Sequence, residues 1–380
     1  MTGTLPLWIR ASGDVAALAA RLARAAAIAL DTEADSLHHY PGRLCLVQVA
    51  DGDGGAHLVD PLSPADMGPL GGVFADAAVL KVVHAGDNDL ALLKRRYDFA
   101  FAGVFDTYIA ARFLGVAELG LEGLLRRVLG VESGPSRQKD DWSVRPLTPE
   151  QERYALDDVR YLIALQDRLR EDLRAAGREA WVLEECAALA ASPPPPERAE
   201  DPDAFLAIKG ARALPPRALA ALRELHALRE ALALRADRPP FKVLGGETLR
   251  DIAAACPASV EDLVRIPGVT AHVIRRYGEA ILAAVRRAEA VPPAALPVLP
   301  RRPRPVVPAA VRQRVDRLRA WRGGAAERLG LDPGVLLPGR LIERIAEAAP
   351  ADLEALAQIE GLREWRVREL GAGILAALAA

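Results

Sequence analysis

The sequence predicts a mixed α/β domain followed by two small all-α domains. In the first half, short apolar segments alternate with helical patterns, which is typical of a sheet flanked by helices. Proline-rich stretches at 192–197 and 291–308 divide the chain, because proline cannot continue a helix. The second half repeats itself at a constant offset of 93 residues. We therefore expect domains at about 1–190, 203–289 and 309–380.

The first domain is predicted to open with a helix that Ser12 caps, followed by a three-stranded antiparallel meander. A turn at 51–55, Asp-Gly-Asp-Gly-Gly, separates the second and third strands. Later helices are expected to begin near Asp87 as a cap and at Thr148-Pro149. The predicted strands are 28–32, 44–49, 56–59 and 79–83.

The two helical domains are predicted to be copies of one module. The offset places Pro240 on Pro333, Ile266 on Ile359, Gly268 on Gly361 and Gly278 on Gly371 without a gap. A register held over so many positions indicates an internal duplication. Within each copy, short apolar helices are separated by proline and glycine.

Composition limits the class of protein. Hydrophobic residues make up 51% and charged residues 26%, as in an ordinary folded domain. Residues 1–190 hold 20 Lys and Arg against 28 Asp and Glu, whereas residues 191–380 hold 29 against 23. An acidic half suits cations and a basic half suits a polyanion, although both could be plain solvated surface. Three separate cysteines and no apparent signal or membrane segment lead us to expect a cytoplasmic protein.

An acidic pair ends the first predicted strand. Asp31 and Glu33 are two residues apart, so their side chains share one face of the strand. Two carboxylates on one face repel each other unless a cation lies between them. A hard divalent ion such as Mg²⁺ or Mn²⁺ suits such oxygen ligands. The alternative is that both are ordinary turn residues.

Two further acidic elements follow. Asp89 comes after the strand that ends near His84, in the first turn of a helix, where it could equally complement the helix dipole. Tyr154 and Asp158 are four residues apart and so share a helix face, while Ala155 and Val159 form the apolar face. A core tyrosine beside a solvated carboxylate would explain either residue alone, but not the whole pattern.

Together these motifs resemble the DEDDy superfamily of 3′–5′ exonucleases. Asp31-Thr32-Glu33, Asp89 in a His-Ala-Gly-x-x-Asp-Leu setting, and Tyr154-x-x-x-Asp158 match its three motifs in order and spacing. The segments Leu46-Val47-Gln48-Val49 and Asp141-Trp142-Ser143 are similar to the ribonuclease D branch, and the repeated module resembles the HRDC domain.

The resemblance implies a fold and a chemistry. It implies a ribonuclease H-like domain, with a mixed sheet flanked by helices, followed by two HRDC domains. It also implies two divalent metal ions, Mg²⁺ or Mn²⁺, held by four carboxylates, with no small-molecule cofactor. Tyr154 would orient or deprotonate the attacking water. Because an ordinary tyrosine has a pKa near 10, orientation is the expected role unless the metal ions lower that pKa. The implied metal-binding and catalytic residues are Asp31, Glu33, Asp89, Tyr154 and Asp158.

The resemblance implies RNA as the partner, with a single-stranded 3′ end as in tRNA precursors, and nucleoside 5′-monophosphates as products. Two alternatives stay open: an exonuclease acting on DNA, and a non-catalytic RNA-binding adaptor. The basic half is expected to grip the RNA body, with the linker arginines Arg301, Arg302 and Arg304 contributing. The predicted nucleic-acid contacts are Gln48, His84, Arg235, Arg238, Lys242, Arg275 and Arg276.

Overall fold

A computed structural model describes residues 7–194, 201–297, 299 and 308–379. These residues form two compact units. The first unit combines residues 7–33 and 44–194 with the second helical module, and the second unit combines residues 34–43 with the first helical module. Arg301, Arg302 and Arg304 lie outside the described residues. Among the described residues, every helix is too short or too polar to span a bilayer.

A six-stranded mixed sheet forms the centre of the first unit. Its order is β1-β4-β3-β2-β5-β6. β3 and β4 pair antiparallel, while β1 with β4, β2 with β5 and β5 with β6 pair parallel. The strands are β1 (Trp8–Ile9), β2 (Ala27–Ala34), β3 (Leu44–Asp51), β4 (Ala56–Val59), β5 (Leu80–Val83) and β6 (Val104–Asp106). The mixed α/β prediction is confirmed, and β1 and β6 are too short to stand out in the sequence.

Helices cover the sheet. They are α1 (Ser12–Leu22), α2 (Gly68–Ala75), α3 (Asp87–Tyr97), α4 (Thr107–Phe113), α5 (Leu121–Leu124), α6 (Pro149–Arg160), α7 (Leu162–Ala175) and α8 (Glu179–Ala191). A π-helical turn, Leu125–Leu129, continues α5. Two predicted caps are wrong. Ser12 lies inside α1 and its hydroxyl accepts the Asp66 N–H at 2.9 Å, and α3 is preceded by Gly86 without a side-chain cap.

The two helical modules have the same architecture. The first contains α9 (Pro216–Arg235), α10 (Pro240–Val243), α11 (Gly246–Ala255), α12 (Val260–Val264) and α13 (Ala271–Glu289). The second contains α14 (Ala309–Leu329), α15 (Pro333–Leu336), α16 (Gly339–Ala348), α17 (Leu353–Ala357) and α18 (Glu364–Ala379). Every helix of the second module starts 93 residues after its counterpart. The internal duplication read from the sequence is therefore present in the structure.

The second module packs against the N-terminal domain within the first unit. Trp365, at the start of α18, stacks on Trp181 of α8 with ring centroids 4.6 Å apart and meets Phe113 edge-on at 5.5 Å. The Glu184 carboxylate accepts the backbone N–H groups of Glu364 and Trp365 at 2.6 and 2.9 Å. A continuous apolar core therefore joins this module to the sheet domain.

We expect Trp365→Ala to destabilise the protein by about 3–5 kcal/mol, because it removes a fully buried aromatic side chain and leaves a cavity. Chemical denaturation followed by circular dichroism measures the change. His272→Ala is the matched control, since His272 occupies the equivalent, exposed position of the first module. A loss below about 1 kcal/mol for Trp365→Ala would show that the contact does not support the domain.

In the second unit, residues 34–43 pack on the first module. The Tyr40 hydroxyl donates to Glu230 at 2.6 Å, and its backbone N–H donates to Asp237 at 3.2 Å. Asp237 also bonds the His39 Nδ1 at 2.7 Å. The segment that directly follows β2 thus belongs to the helical module rather than to the sheet.

Candidate active site

The first pair of acids projects from the end of β2. Ile28 and Leu30 point into the apolar core on one face of this strand, so Asp31 and Glu33 take the other face. Asp31 is half-buried, and Glu33 is only 9% exposed. The alternation read from the sequence is confirmed, and the residues are part of the strand rather than of a turn.

Helix α6 holds the third motif beside that pair. Thr148 caps its first turn in a reciprocal arrangement with Gln151, as the Thr-Pro-Glu start suggested. Ala155 and Val159 are fully buried and anchor the helix, which packs across β3 and β4. The neighbouring face carries Tyr154 and Asp158, whose side chains are hydrogen-bonded to each other.

Three carboxylates converge from these two elements. Ligand atoms of Asp31, Glu33 and Asp158 all lie within 4.8 Å of one another. None of the ion pairs found among the described residues supplies a Lys or Arg to any of them. Carboxylates this close without a protein cation form a site whose negative charge a hard divalent ion would balance. The donor set therefore fits a metal ion of the Mg²⁺ or Mn²⁺ type.

Asp89 is brought to the same cleft by the first turn of α3. Its carboxylate accepts a hydrogen bond from the Thr32 hydroxyl, which links this motif to β2. Thr32 lies between the two acids of the first motif, and sequence reasoning assigned it no role. The available signal was its position inside the Asp31-Thr32-Glu33 motif.

The electrostatics of the site follow from burial and crowding. Burial, followed by the negative charges of Asp158 and Asp89, raises the pKa of Glu33 to about 9. Burial raises the pKa of Asp158 to about 7, although the Tyr154 hydrogen bond opposes the rise. For Asp89, burial raises the pKa to about 6, against the Thr32 hydrogen bond. The pKa of Asp31 lies well above its usual value for the same reasons.

The pKa of Tyr154 is shifted in the same direction. Burial, together with the charges of Asp158, Glu33 and Asp31, raises the pKa of its hydroxyl well above the usual value. In the metal-free protein the hydroxyl is therefore protonated at neutral pH. It can donate or accept a hydrogen bond, but it is not a base.

A cleft of about 710 Å³ contains all five of these residues. His84, Asn88, Tyr108 and the loop 133–138 also line this cleft. Burial lowers the pKa of His84 to about 4, so this ring is neutral at physiological pH. Arg153 and Arg137 add positive charge to the lining, Arg137 while also facing Asp140 at 3.6 Å.

The other residues expected to contact nucleic acid fall into two groups. Gln48 is fully buried in β3, so the expectation that it touches RNA does not fit the structure: every residue of this strand is buried. Arg235, Arg238, Lys242, Arg275 and Arg276 are all exposed on the first module, in the second unit. Asn88 and Tyr108 also line the cleft but were not predicted from the sequence. The position of Asn88 next to Asp89 was an available signal, whereas Tyr108 had none.

Comparison with known proteins agrees with this arrangement. A family model described as "3'-5' exonuclease" matches residues 6–174, and a model of the HRDC domain matches residues 218–285 and 311–378. Ribonuclease D of Pseudomonas paraeruginosa is 33% identical over 381 residues, covering 98% of this chain and 97% of that protein. Ribonuclease D of Granulibacter bethesdensis is 33% identical over 360 residues, covering 92% and 88%.

Solved structures show the same relationship. The crystal structure of Escherichia coli RNase D, described as an exoribonuclease involved in structured RNA processing, matches with a TM-score of 0.70, 27% identity and 98% of both chains covered. The catalytic core of RRP6 from Trypanosoma brucei matches with a TM-score of 0.64 and 26% identity, covering 76% of this chain and 81% of that one. An exonuclease acting on DNA and a non-catalytic adaptor are not favoured by these matches. The superfamily depends on divalent metal ions, and the chain belongs to the ribonuclease D family of 3′–5′ exoribonucleases.

Proposed function

We propose that the chain shortens structured RNAs, such as tRNA precursors, from a single-stranded 3′ end, in the cytoplasm and with two divalent ions, Mg²⁺ or Mn²⁺. The observation that carries this proposal is the convergence of Asp31, Glu33 and Asp158 within 4.8 Å. Asp89 and Tyr154 complete the constellation in one cleft. We assign the four carboxylates to the metal ions and Tyr154 to the attacking water.

The chemistry follows from these groups. Water adds to the phosphorus of the terminal phosphodiester and the bond from phosphorus to the 3′ oxygen breaks. A nucleoside 5′-monophosphate leaves, and the shortened RNA keeps a new 3′-hydroxyl. When bound, divalent ions supply positive charge beside the phosphate and lower the pKa of water. The Tyr154 hydroxyl, protonated at neutral pH, orients that water by a hydrogen bond rather than removing its proton.

One assay tests this function. RNA with a single-stranded 3′ tail is incubated with the full chain in Mg²⁺, in Mn²⁺ and in EDTA, beside RNA whose 3′ end is blocked by phosphate and beside DNA of the same sequence. We expect one-nucleotide steps from the 3′ end and 5′-monophosphates, with metal only. Asp167→Asn, an exposed carboxylate on α7, is the control and should match wild type. Internal cleavage, or equal activity in EDTA, would contradict the proposal.

Of the two helical modules, the first is the one that we propose binds the body of the RNA. Its Arg238 and Lys242 are exposed, and Phe241 between them is 56% exposed. An exposed aromatic ring beside cations suits single-stranded RNA, since bases stack on the ring while phosphates meet the charges. At the equivalent positions of the second module, Leu331 and Val335 are buried. The two copies have therefore diverged, and the second module supports the fold.

One variant replaces Arg235, Arg238 and Lys242 together with Ala. We expect it to bind a tRNA-sized RNA more weakly and to reduce the slope of log affinity against log salt by about 2–3. The slope falls because each phosphate contact releases roughly one counterion. Fluorescence anisotropy over a salt series measures both. The control variant replaces Arg312, Arg319 and Arg328 of α14 together with Ala, which removes the same charge from the second module. If both triple variants lower the slope equally, the first module has no special role.

A deletion of both modules would not separate RNA binding from stability. Deleting residues 198–380 would also remove Trp365 from its stack on Trp181 and expose that face of the N-terminal domain. Any loss of RNA binding would then be mixed with a loss of stability. The point variants leave the apolar core untouched, because all six side chains are exposed. Cleavage of a short oligonucleotide at saturating concentration should therefore stay at the wild-type rate in both.

A further inference from the structure

A buried carboxylate outside the four-acid set lies directly behind the second motif. Asp106 ends β6 and is 2% exposed. Its two oxygens accept four backbone N–H groups. The donors are Ala85 and Gly86, both at 3.0 Å, Tyr108 at 2.8 Å and Ile109 at 3.4 Å. Two of these bonds cap α4, whereas the other two hold a turn 20 residues earlier in the chain.

That turn has an unfavourable backbone conformation. Ala85 has φ of 52°, in the left-handed region that disfavours residues with a Cβ. The next residue is glycine because a Cβ there would lie 2.6 Å from the Val83 side chain. Neither residue selects the conformation through its own side chain. The bonds to Asp106 are what hold it.

The turn leads directly into the candidate active site. Helix α3 begins at Asp87, and Asp89 lies in its first turn. The turn residues His84 and Ala85 themselves line the cleft. Thr107, next to Asp106, reinforces the arrangement: its hydroxyl donates to the Val83 carbonyl at 3.1 Å and lies 2.9 Å from the His84 Nδ1.

Asp106 has no cationic partner among the ion pairs of the described residues. Its polar contacts there are backbone N–H groups, and its own N–H donates to the Cys186 sulfur at 3.2 Å. A buried carboxylate whose oxygens accept only backbone donors serves to hold backbone in place. We propose that Asp106 is a positioning residue, which fixes the turn at Ala85–Gly86 and thereby the place of Asp89 as a metal ligand. The inference rests on the proposed function of Asp89.

The Asp106→Asn variant separates the two tasks of this side chain. Oδ1 accepts from Ala85, Tyr108 and Ile109, and Oδ2 accepts from Gly86 alone. Asparagine keeps one acceptor oxygen and places an NH₂ group at the other position. With its oxygen at the Oδ1 position, it retains the α4 cap but turns a donor towards the Gly86 N–H. We therefore expect the turn at Ala85–Gly86 to lose its support.

We expect Asp106→Asn to lower kcat on a short RNA at least tenfold and to leave the KM for that RNA within about twofold. A second readout needs no catalysis: Mn²⁺ binding to the variant without RNA, followed by electron paramagnetic resonance of the free ion, should be several-fold weaker. Asp352→Asn changes the α17 cap in the same chemical way, away from the cleft lining, and should change neither value.

A rescue distinguishes positioning from mere stability. Glycine adopts a φ of 52° without the penalty of a Cβ, so adding Ala85→Gly to Asp106→Asn should recover part of the Mn²⁺ affinity and of kcat. Should Asp106→Asn not fold, Ala85→Val disturbs the same turn with Asp106 intact and should give the same losses. A folded Asp106→Asn protein with wild-type Mn²⁺ affinity and kcat would overturn the proposal. If the wild-type chain itself had no nuclease activity, the proposed function would fail while the Mn²⁺ comparison remained readable.

Discussion

Asp31→Asn is expected to reduce RNA hydrolysis by about 10³-fold or more. Asp31 converges with Glu33 and Asp158, and its carboxylate also interacts electrostatically with Asp89. Loss of a metal ligand weakens the electrostatic stabilisation of the transition state by several kcal/mol. A loss of about 4 kcal/mol corresponds to a rate that is roughly 10³-fold lower. Initial rates on a labelled oligonucleotide in saturating Mg²⁺ measure the effect.

The same variant should be folded and, without metal, at least as stable as wild type. Burial is the largest cause that raises the folded-state pKa of Glu33, to about 9. The protonated carboxyl group therefore contributes to the stability of the metal-free fold at low pH. This contribution is lost as the pH rises through about 9. Removing the Asp31 charge reduces the repulsion. In EDTA, the melting temperature of Asp31→Asn should therefore equal or exceed that of wild type, with a larger difference at pH 8 than at pH 5. A near wild-type rate in this folded variant would refute the assignment of Asp31.

Tyr154→Phe is expected to slow turnover by about 10²-fold, within the range of a lost orienting or proton-transfer group. Phenylalanine keeps the ring packed near Trp142, whose centroid lies 6.1 Å away, and removes only the hydroxyl that bonds Asp158. Mn²⁺ affinity should stay within about threefold of wild type. Single-turnover rates and direct Mn²⁺ titration separate the two quantities.

Tyr97→Phe removes a hydroxyl from a half-buried tyrosine on α3 that is not among the cleft-lining residues. It should leave both values unchanged. A collapse of Mn²⁺ affinity in Tyr154→Phe would instead place the hydroxyl in support of the metal ligands. An unchanged rate would remove Tyr154 from the reaction.

Local pattern was enough to predict the elements that carry the site. Strand alternation placed Asp31 and Glu33 on one face, and the Thr148-Pro149 start and four-residue spacing placed Tyr154 and Asp158 together on α6. These features depend on neighbours along the chain. The duplicated modules were predictable because their register survives in the printed sequence.

Features that depend on distant partners were not predictable. The resemblance suggested that Gln48 contacts RNA, but the strand it lies on is covered by α6. The sequence predicted Ser12 as a helix cap, but its hydroxyl accepts a hydrogen bond from the Asp66 backbone N–H. Asp106 shows no motif, because its role requires that the ends of β5 and β6 lie side by side. Nothing in the sequence marks Trp365 as the residue that packs on Trp181.

The carboxylate cluster as a metal centre is the central claim, and anomalous scattering from crystals grown with Mn²⁺ and a short RNA tests it most directly. We expect an anomalous peak bounded by Asp31, Glu33 and Asp158, a second near Asp89, and loss of the first peak in Asp31→Asn. A map from well-ordered wild-type crystals without a peak among these carboxylates, or with Mn²⁺ bound only elsewhere, would contradict the account.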